Sequence, residues 1–159
     1  MPAERSVLFL DDEAYRTRLY RQRLEESGWA VELCSNTVEA QELLDDDSGR
    51  VFQAAVVDLQ MGRPADMDDH AWEQFGHLPG LWWLAGKAAR FEIQKTAVAI
   101  LTNKAPGEIR ELVKERVVIS RPALYIGLYR KIDVNARQFP DELAKLPNCQ
   151  PGTLVEFRP

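Results

Sequence analysis

The chain has 159 residues, of which 45% are hydrophobic and 28% charged, which suits one domain with a packed core and excludes a disordered or fibrous chain. Its net charge of −5, from 20 basic and 25 acidic residues, argues against nucleic acid as a partner. The two cysteines, Cys34 and Cys149, have no metal-like spacing and are most simply free thiols of a cytoplasmic protein. No leader pattern opens the chain and no apolar run approaches the ~20 residues that span a membrane, so no membrane association is expected.

Apolar runs and polar breaks divide the chain into alternating strands and helices. The sequence predicts strands at 7–10, 30–34, 54–57, 96–101 and 117–119. It predicts helices at 13–27, 38–44, 108–115 and 123–138, with apolar stripes of Tyr15, Leu19 and Leu24 on the first and of Leu124, Leu128 and Ile132 on the last. This alternation predicts an α/β fold, a doubly wound, five-stranded parallel sheet with helices on both faces.

Two strands that are apolar on both faces end in carboxylates. The run 54–57 leads into Asp58, and the run 7–10 leads into Asp11, Asp12 and Glu13. Strands of this kind are buried in parallel sheets, whose ligands bind at the carboxyl edge. Taken singly, Asp58 is also a common turn residue and the acidic triplet a common helix start. Together, clustered carboxylates require a cation, and Mg²⁺ prefers such hard oxygen ligands.

The ordered set of residues at the strand ends resembles the receiver domain of two-component response regulators. The segments Val-Leu-Phe-Leu-Asp-Asp-Glu at 7–13 and Val-Val-Asp-Leu-Gln-Met at 56–61 match the family pattern, with Thr102 after the fourth strand and Arg121-Pro122 after the fifth. The resemblance implies a flavodoxin-like receiver domain over 1–138, with an insertion at about 63–78 and a C-terminal tail at 139–159.

The resemblance also implies a role for each residue of the set. Asp58 would be the phosphoacceptor. Its carboxylate would attack the phosphorus of a phosphohistidine, which is the phosphoryl donor. Mg²⁺ would be held by Asp12 and Asp58 directly, by the carbonyl of Gln60, and by Asp11 nearby or through water. Thr102 would donate its hydroxyl to the phosphoryl group, and a cation after the fifth strand would pair with it.

That cation departs from the family pattern, because Arg121 stands where the family has Lys. Arginine keeps the charge but has a planar, longer side chain. Either Arg121 fills the role, or it points to solvent and the site lacks this cation; Lys104 is a nearby substitute. The family's aromatic residue in the fifth strand is also missing from 117–119.

The insertion after Asp58 is long enough to be functional or mobile. It contains Asp66, His70 and His77, which admit a metal site, although a solvated flap is the simpler interpretation because the spacing matches no metal signature. As a lid beside the pocket, the insertion would regulate access.

The predicted function is that of a single-domain response regulator. It would accept a phosphoryl group on Asp58 from a sensor histidine kinase or a histidine phosphotransfer protein in a Mg²⁺-dependent phosphorelay. It would have no enzymatic activity beyond its own phosphorylation and dephosphorylation. Its output would be contact with an unknown protein, with a possible homodimer through the face between the fourth strand and the fifth helix. The alternative is a degenerate receiver, a binding module that phosphate does not switch.

The first helix carries four arginines in eight residues, Arg16, Arg18, Arg21 and Arg23. In the family this helix docks the histidine-bearing partner. The arginines therefore indicate either a docking surface for an acidic partner or a solvated helix face.

Overall fold

The core of the protein is one sheet of six parallel strands. The computed structural model describes residues 5–46 and 50–157. The strands are β1 (Arg5–Leu10), β2 (Trp29–Cys34), β3 (Ala54–Val57), β4 (Ala97–Thr102), β5 (Ile126–Arg130) and β6 (Leu154–Glu156). Their order across the sheet is β2-β1-β3-β4-β5-β6, and every neighbouring pair is parallel. The doubly wound parallel sheet is confirmed, whereas the count of five strands is wrong by one, because β6 was not predicted.

Helices cover both faces of this sheet. They are α1 (Ala14–Glu26), α2 (Thr37–Leu44), α3 (Asp69–Gln74), α4 (Pro79–Gln94), α5 (Pro106–Val113) and α6 (Phe139–Lys145). A π-helical turn, Lys114–Val118, continues α5, and a 3₁₀ turn, Leu146–Asn148, continues α6. Helices α2, α4 and α5 share one core with alternate residues of the strands, and α1 and α6 share the other. No helix among the described residues is long and apolar enough to cross a membrane.

Helix α1 packs on the sheet through a face that differs from the predicted one. Tyr15 and Leu19 are exposed, at 88% and 61%, so the predicted stripe is wrong for these two residues. The buried residues are Thr17, Tyr20 and Leu24, which follow the helical spacing of three and four. The polar Thr17 at the start of this face interrupts the apolar periodicity from which the stripe was predicted.

The strand β5 lies nine residues further along the chain than predicted. Val117 and Val118 end the π-helical turn, and Ile119 follows it. Both valines are buried in the core that α2, α4 and α5 share with the sheet. The predicted last helix at 123–138 is wrong, since β5 and a turn occupy this range. Its apolar spacing was coincidental: Leu124 and Leu128 are buried, but Ile132 is 77% exposed.

The segment 139–159, predicted to be a loop-rich tail, contributes α6 and the edge strand β6 in its described part. Leu154 and Val155 lie in β6, and Phe157 packs against the same core as α6. Glu156 accepts hydrogen bonds from Arg110 of α5 at 2.8–3.1 Å through two guanidinium nitrogens. This bidentate pair fastens β6 to a neighbouring helix.

The insertion at 63–78 contains α3 and is cross-linked internally by its own arginine. Arg63 donates to the carbonyl of Met67 at 3.0 Å and to Asp69 at 2.7 Å, and its guanidinium lies over the ring of Trp72. Met67 and Leu78 are buried. The insertion is therefore packed onto the domain and is not a solvated flap.

Helix α4 approaches the end of β3 at a glycine. Gly80 donates its backbone N–H to the carbonyl of Leu59 at 3.0 Å. A Cβ at this position would contact the carbonyl oxygen of Asp58 and would lie 2.7 Å from the Cα of Leu59. Only glycine lets the helix start this close to the backbone that carries Asp58.

We expect Gly80→Ala to destabilise the protein by about 2 kcal/mol or more, because the added methyl group meets backbone atoms that have no room to move. Gly86→Ala, on the same helix, is the matched control. Gly86 is exposed with no atom within 4 Å of an added Cβ, so alanine there should stabilise the helix by about 0.5–1 kcal/mol. Urea unfolding of both variants tests this, and equal effects would contradict the close approach.

Candidate functional site

Backbone pairing brings four polar residues to the carboxyl edge of the sheet. Asp11 follows β1 and donates its N–H to Cys34 of β2, while Asp58 follows β3 and donates to Leu10 of β1. Lys131 follows β5 and donates its N–H to the carbonyl of Thr102, the last residue of β4, at 2.8 Å. The parallel register alone therefore places these side chains along one edge.

An ion cluster joins the residues that follow β1, β3 and β5 at this edge. The Nζ of Lys131 donates to Asp11 Oδ2 at 2.7 Å and to Asp58 Oδ2 at 2.9 Å. The side chains of Asp11 and Asp58 are only 1% and 2% exposed, and that of Lys131 is 9% exposed. One ammonium thus bridges two buried carboxylates, and the three groups carry a net charge of −1.

The second oxygen of each carboxylate is fixed by its own loop. Asp11 Oδ1 accepts from the backbone N–H of Glu13 at 2.8 Å, and Asp58 Oδ1 accepts from that of Gln60 at 3.0 Å. Both contacts join a carboxylate to the backbone two residues later, the usual turn made by Asp. The carboxylates are consequently held in place from two directions.

Burial and the ion pairs shift the pKa values of the cluster in opposite directions. Burial raises the pKa of Asp11, and the neighbouring charge of Asp58 raises it further, although the bond to Lys131 opposes both. Burial lowers the pKa of Lys131, but its hydrogen bond to Asp11 and the charge of Asp58 outweigh this, so that pKa lies above its ordinary value. The ammonium form of Lys131 is therefore secured by the two carboxylates.

Thr102 adds a buried hydroxyl that no group in the described part of the chain uses. Its side chain is fully buried, and Oγ1 has no hydrogen-bond partner among the described residues. A buried hydroxyl without a partner costs free energy. A ligand that presented an acceptor at this edge would satisfy it.

Asp12 lies at the entrance to the cluster and not within it. Its side chain is exposed, and Oδ2 accepts from the N–H of Gly62 at 3.1 Å. With Glu13, Gln60 and Lys104 it lines a surface cavity of about 440 Å³, which residues 76–78 of the insertion close on one side. The cavity opens directly beside the loop that follows Asp58.

The donor set fits Mg²⁺ in kind, because Asp11 and Asp58 supply buried carboxylates and the adjoining cavity is lined by Asp12 and Gln60. Their present geometry is not that of a metal cage: among the residues described, no group of three or more His, Cys, Asp or Glu side chains is placed to hold an ion. Mg²⁺ commonly takes few protein ligands and keeps its waters. Asp12 is exposed, so it can turn towards an ion without unfolding its surroundings.

The placement of Arg121 in this site is wrong. Arg121 lies after the π-helical turn, where its guanidinium is 3.9 Å from the carboxylate of Glu92 of α4. Among the described residues, no ion pair joins it to Asp58 or Asp11. Lys104, the proposed substitute, lines the cavity and lies 3.9 Å from Glu108. The cation of the site is Lys131.

Sequence analysis did not identify Lys131, because it predicted the fifth strand at 117–119 and the strand lies at Ile126–Arg130. The stretch 125–130, Tyr-Ile-Gly-Leu-Tyr-Arg, is rich in aromatic and branched residues and follows a turn at Pro122 and Ala123, which are both signals of a strand. The observed fifth strand contains an aromatic residue, Tyr129, which is buried and packs edge-on against Phe139.

Among the described residues, the insertion histidines belong to no group of three or more potential metal ligands. His77 stacks on Trp72 with ring centroids 4.8 Å apart, and its Nε2 lies 3.1 Å from Glu73. His70 and Asp66 are exposed. These contacts stiffen the insertion that walls the cavity.

The architecture defines a known class of fold. No protein-family model matches the sequence, and no curated protein is similar to it. Many solved structures share the fold with it. A CheY-like receiver domain protein from Methanospirillum hungatei has a TM-score of 0.64 at 16% identity, covering 92% of this chain and 95% of its own. A response regulator from Thermotoga maritima has a TM-score of 0.63 at 16% identity, covering 92% and 100%.

The chemotaxis protein CheY4 of Vibrio cholerae gives the same result, with a TM-score of 0.63 at 18% identity over 91% of this chain and 99% of its own. The chain therefore has the flavodoxin-like fold of response regulator receiver domains, with β6 as an additional strand.

We expect Lys131→Met to destabilise the protein by about 3 kcal/mol at neutral pH, because it leaves two carboxylates buried without a cation. The loss should shrink as the pH falls. Burial raises the pKa of Asp11, so the folded protein loses stability as the pH rises through that pKa and regains it when Asp11 is protonated. Arg121→Met is the control and should change stability by no more than about 0.5 kcal/mol. Urea unfolding at neutral and acid pH measures both, and a larger loss from Arg121→Met would contradict the assignment.

Proposed function

We propose that the protein is a response regulator receiver whose phosphoacceptor is Asp58. The observation that carries the proposal is the buried bridge from Asp11 through Lys131 to Asp58, with the unpartnered hydroxyl of Thr102 on the adjoining strand. The receiver fold supports it. In this proposal the protein catalyses only its own phosphorylation and dephosphorylation, within the cytosolic compartment where the free thiols of Cys34 and Cys149 persist.

The chemistry is a nucleophilic substitution at phosphorus. One carboxylate oxygen of Asp58 forms a bond to the phosphorus of a phosphohistidine. The phosphorus–nitrogen bond breaks, and its electrons leave with the imidazole, which takes up a proton. Lys131 then offsets charge on the phosphoryl oxygens, and Thr102 supplies a hydroxyl donor.

The proposal includes Mg²⁺, held by Asp12, Asp58 and the carbonyl of Gln60, with Asp11 nearby. The ion would offset charge on the transferring phosphoryl group. Until an ion binds, Lys131 is the only cation in contact with the buried carboxylates among the described residues. Occupation of the site therefore involves sharing the carboxylates between the ammonium and the ion.

The first test is covalent. Incubation with acetyl phosphate and Mg²⁺ should add one phosphoryl group by intact mass, and Asp58→Asn should abolish the adduct. Asp141→Asn, an exposed residue of α6, should leave the adduct unchanged. Omission of Mg²⁺ should slow the reaction by about tenfold or more, because uncompensated phosphoryl charge then meets a site of net charge −1. A folded wild-type protein that takes up no phosphate would favour the degenerate receiver, and an adduct on Asp58→Asn would refute the assignment.

Helix α1 supports the proposed docking of a histidine kinase or histidine phosphotransfer protein. Arg21 and Arg23 are engaged with Glu25 and Glu26 on their own helix. Arg18 is exposed and has no ion pair among the described residues; the side chain of Arg16 lies outside them. Together with the exposed Tyr15 and Leu19, Arg18 forms a partly apolar, basic surface on α1, the helix that follows Asp11 and Asp12.

We expect Arg18→Glu to slow phosphotransfer from the cognate kinase by about tenfold, because it reverses a charge that steers an acidic partner. Phosphorylation by acetyl phosphate should be unaffected. Lys95→Glu is the control: this exposed residue precedes β4 at the opposite edge of the sheet and should affect neither donor. Equal losses with both donors would indicate damage to the pocket and contradict a docking role.

Output by contact with another protein, and the possible homodimer, remain proposals. The strand β6 occupies the sheet edge beside β5. Any pairing of two copies at that edge would therefore be made by β6.

A further inference from the structure

The residue that leads into the insertion contacts a carboxylate of the proposed Mg²⁺ site. The backbone N–H of Gly62 donates to Oδ2 of Asp12 at 3.1 Å, across 50 residues of sequence. Both residues are exposed, and Asp12 also lines the cavity beside the loop that follows Asp58. Nothing in the proposed phosphotransfer chemistry uses this backbone hydrogen bond.

The bond engages one oxygen of Asp12 and leaves the other available. No hydrogen bond or ion pair joins Oδ1 of Asp12 to a residue that the structure describes. The carboxylates of Asp11 and Asp58 differ, because each has one oxygen engaged by Lys131 and the other by a backbone N–H. Asp12 is therefore the carboxylate of the set that can bind an ion through a free oxygen while its other oxygen stays fixed.

Contacts inside the insertion limit the movement of the backbone that carries this N–H. Arg63, the next residue, donates to the carbonyl of the buried Met67 at 3.0 Å. Its guanidinium also lies over the ring of Trp72, 5.3 Å from the ring centroid. Because Arg63 is held at two points, the N–H of Gly62 is kept close to one position and cannot follow a freely turning side chain.

We propose that the start of the insertion is an outer part of the Mg²⁺ site, with Gly62 and Trp72 as positioning residues. The N–H of Gly62 holds Asp12 by Oδ2, so that Oδ1 remains free to bind the ion. Trp72 holds the backbone of Gly62 in place through Arg63. Carboxylates that bind metals are commonly oriented by such hydrogen bonds, and loss of the bond lowers metal affinity. The inference rests on the proposed function, because it requires an ion bound by Asp12.

Orientation of Asp12 and competition with the ion would have opposite effects on metal affinity. If the N–H orients Asp12, its loss frees an exposed side chain and weakens Mg²⁺ binding, because ordering a free side chain costs entropy. If the N–H competed with the ion for the carboxylate, its loss would strengthen binding. The free Oδ1 favours orientation, since the ion and the N–H then use different oxygens.

The test measures Mg²⁺ affinity without a phosphoryl donor, by titrating the ¹⁵N-labelled protein with MgCl₂ and following its amide resonances by NMR. Gly62→Pro removes the N–H and should raise the Kd for Mg²⁺ on the order of 3- to 10-fold, less than for a buried ligand because Asp12 is exposed. Gly62→Ala is the matched control, because it keeps the N–H, its Cβ would meet no atom within 4 Å, and the φ of Gly62 is not positive. The alanine variant should bind Mg²⁺ within about 1.5-fold of the wild type.

Trp72 gives an independent test that leaves the loop after Asp58 unchanged. Trp72→Ala removes the ring beside Arg63 and should raise the Kd roughly threefold. Trp72→Phe keeps an aromatic face for the guanidinium and should restore the Kd to within about 1.5-fold of the wild type. Because the effect passes through the N–H of Gly62, Trp72→Ala should add less than about 1.5-fold when Gly62→Pro is already present.

The outcomes separate this inference from the proposed function. A folded wild-type protein whose amide resonances do not respond to Mg²⁺ would overturn the Mg²⁺ site of the proposed function and this inference with it. Mg²⁺ binding by the wild type, with an equal Kd for Gly62→Pro and Gly62→Ala or a lower Kd for Gly62→Pro, would overturn the inference alone. Additive effects of Trp72→Ala and Gly62→Pro would overturn the positioning role of Trp72.

Discussion

The site depends on one ammonium shared between two buried carboxylates. Asp11 and Asp58 follow neighbouring strands of the sheet, and their charges would repel each other in a poorly solvated environment if Lys131 were absent. The bridge also fixes the turn after β5, which Tyr20 of α1 holds from the other side by donating its hydroxyl to the carbonyl of Val134 at 2.9 Å. A single side chain thus links the charge balance of the site to the packing of α1 and β5.

Thr102 and Asp58 differ in how far their hydrogen-bonding capacity is used. Thr102 is buried with a free hydroxyl, while Asp58 has both carboxylate oxygens engaged. A phosphoryl group on Asp58 would bring new acceptor oxygens to an edge that already holds an ammonium and a hydroxyl donor. The donors are therefore placed before the charge arrives, which is the condition for electrostatic stabilisation without reorganisation.

Sequence analysis recovered the parts of the site that follow continuous apolar strands. Asp11, Asp58 and Thr102 each come directly after such a run, and the structure places all three at one edge. Lys131 could not be recovered in the same way, because two signals competed. The branched run 117–119 favours a strand, yet a π-helical turn buries its valines between α5 and α4. The true strand contains Gly127, and its Leu128 happens to lie at helical spacing from Leu124, which precedes the strand. Tertiary packing, and not local propensity, decided both segments.

The order in which the strands are made has a consequence for synthesis on the ribosome. Lys131 lies 120 residues after Asp11 and 73 residues after Asp58. After Asp58 has been synthesised, the nascent chain therefore carries both carboxylates for a further 73 residues without the cation that lets them be buried together. Because distant pairings must wait for the later strand, the centre of the sheet can close in its present form only after β5 has emerged. A ribosome stalled before that point would display the two acids on an incomplete sheet whose edge at β4 is still open.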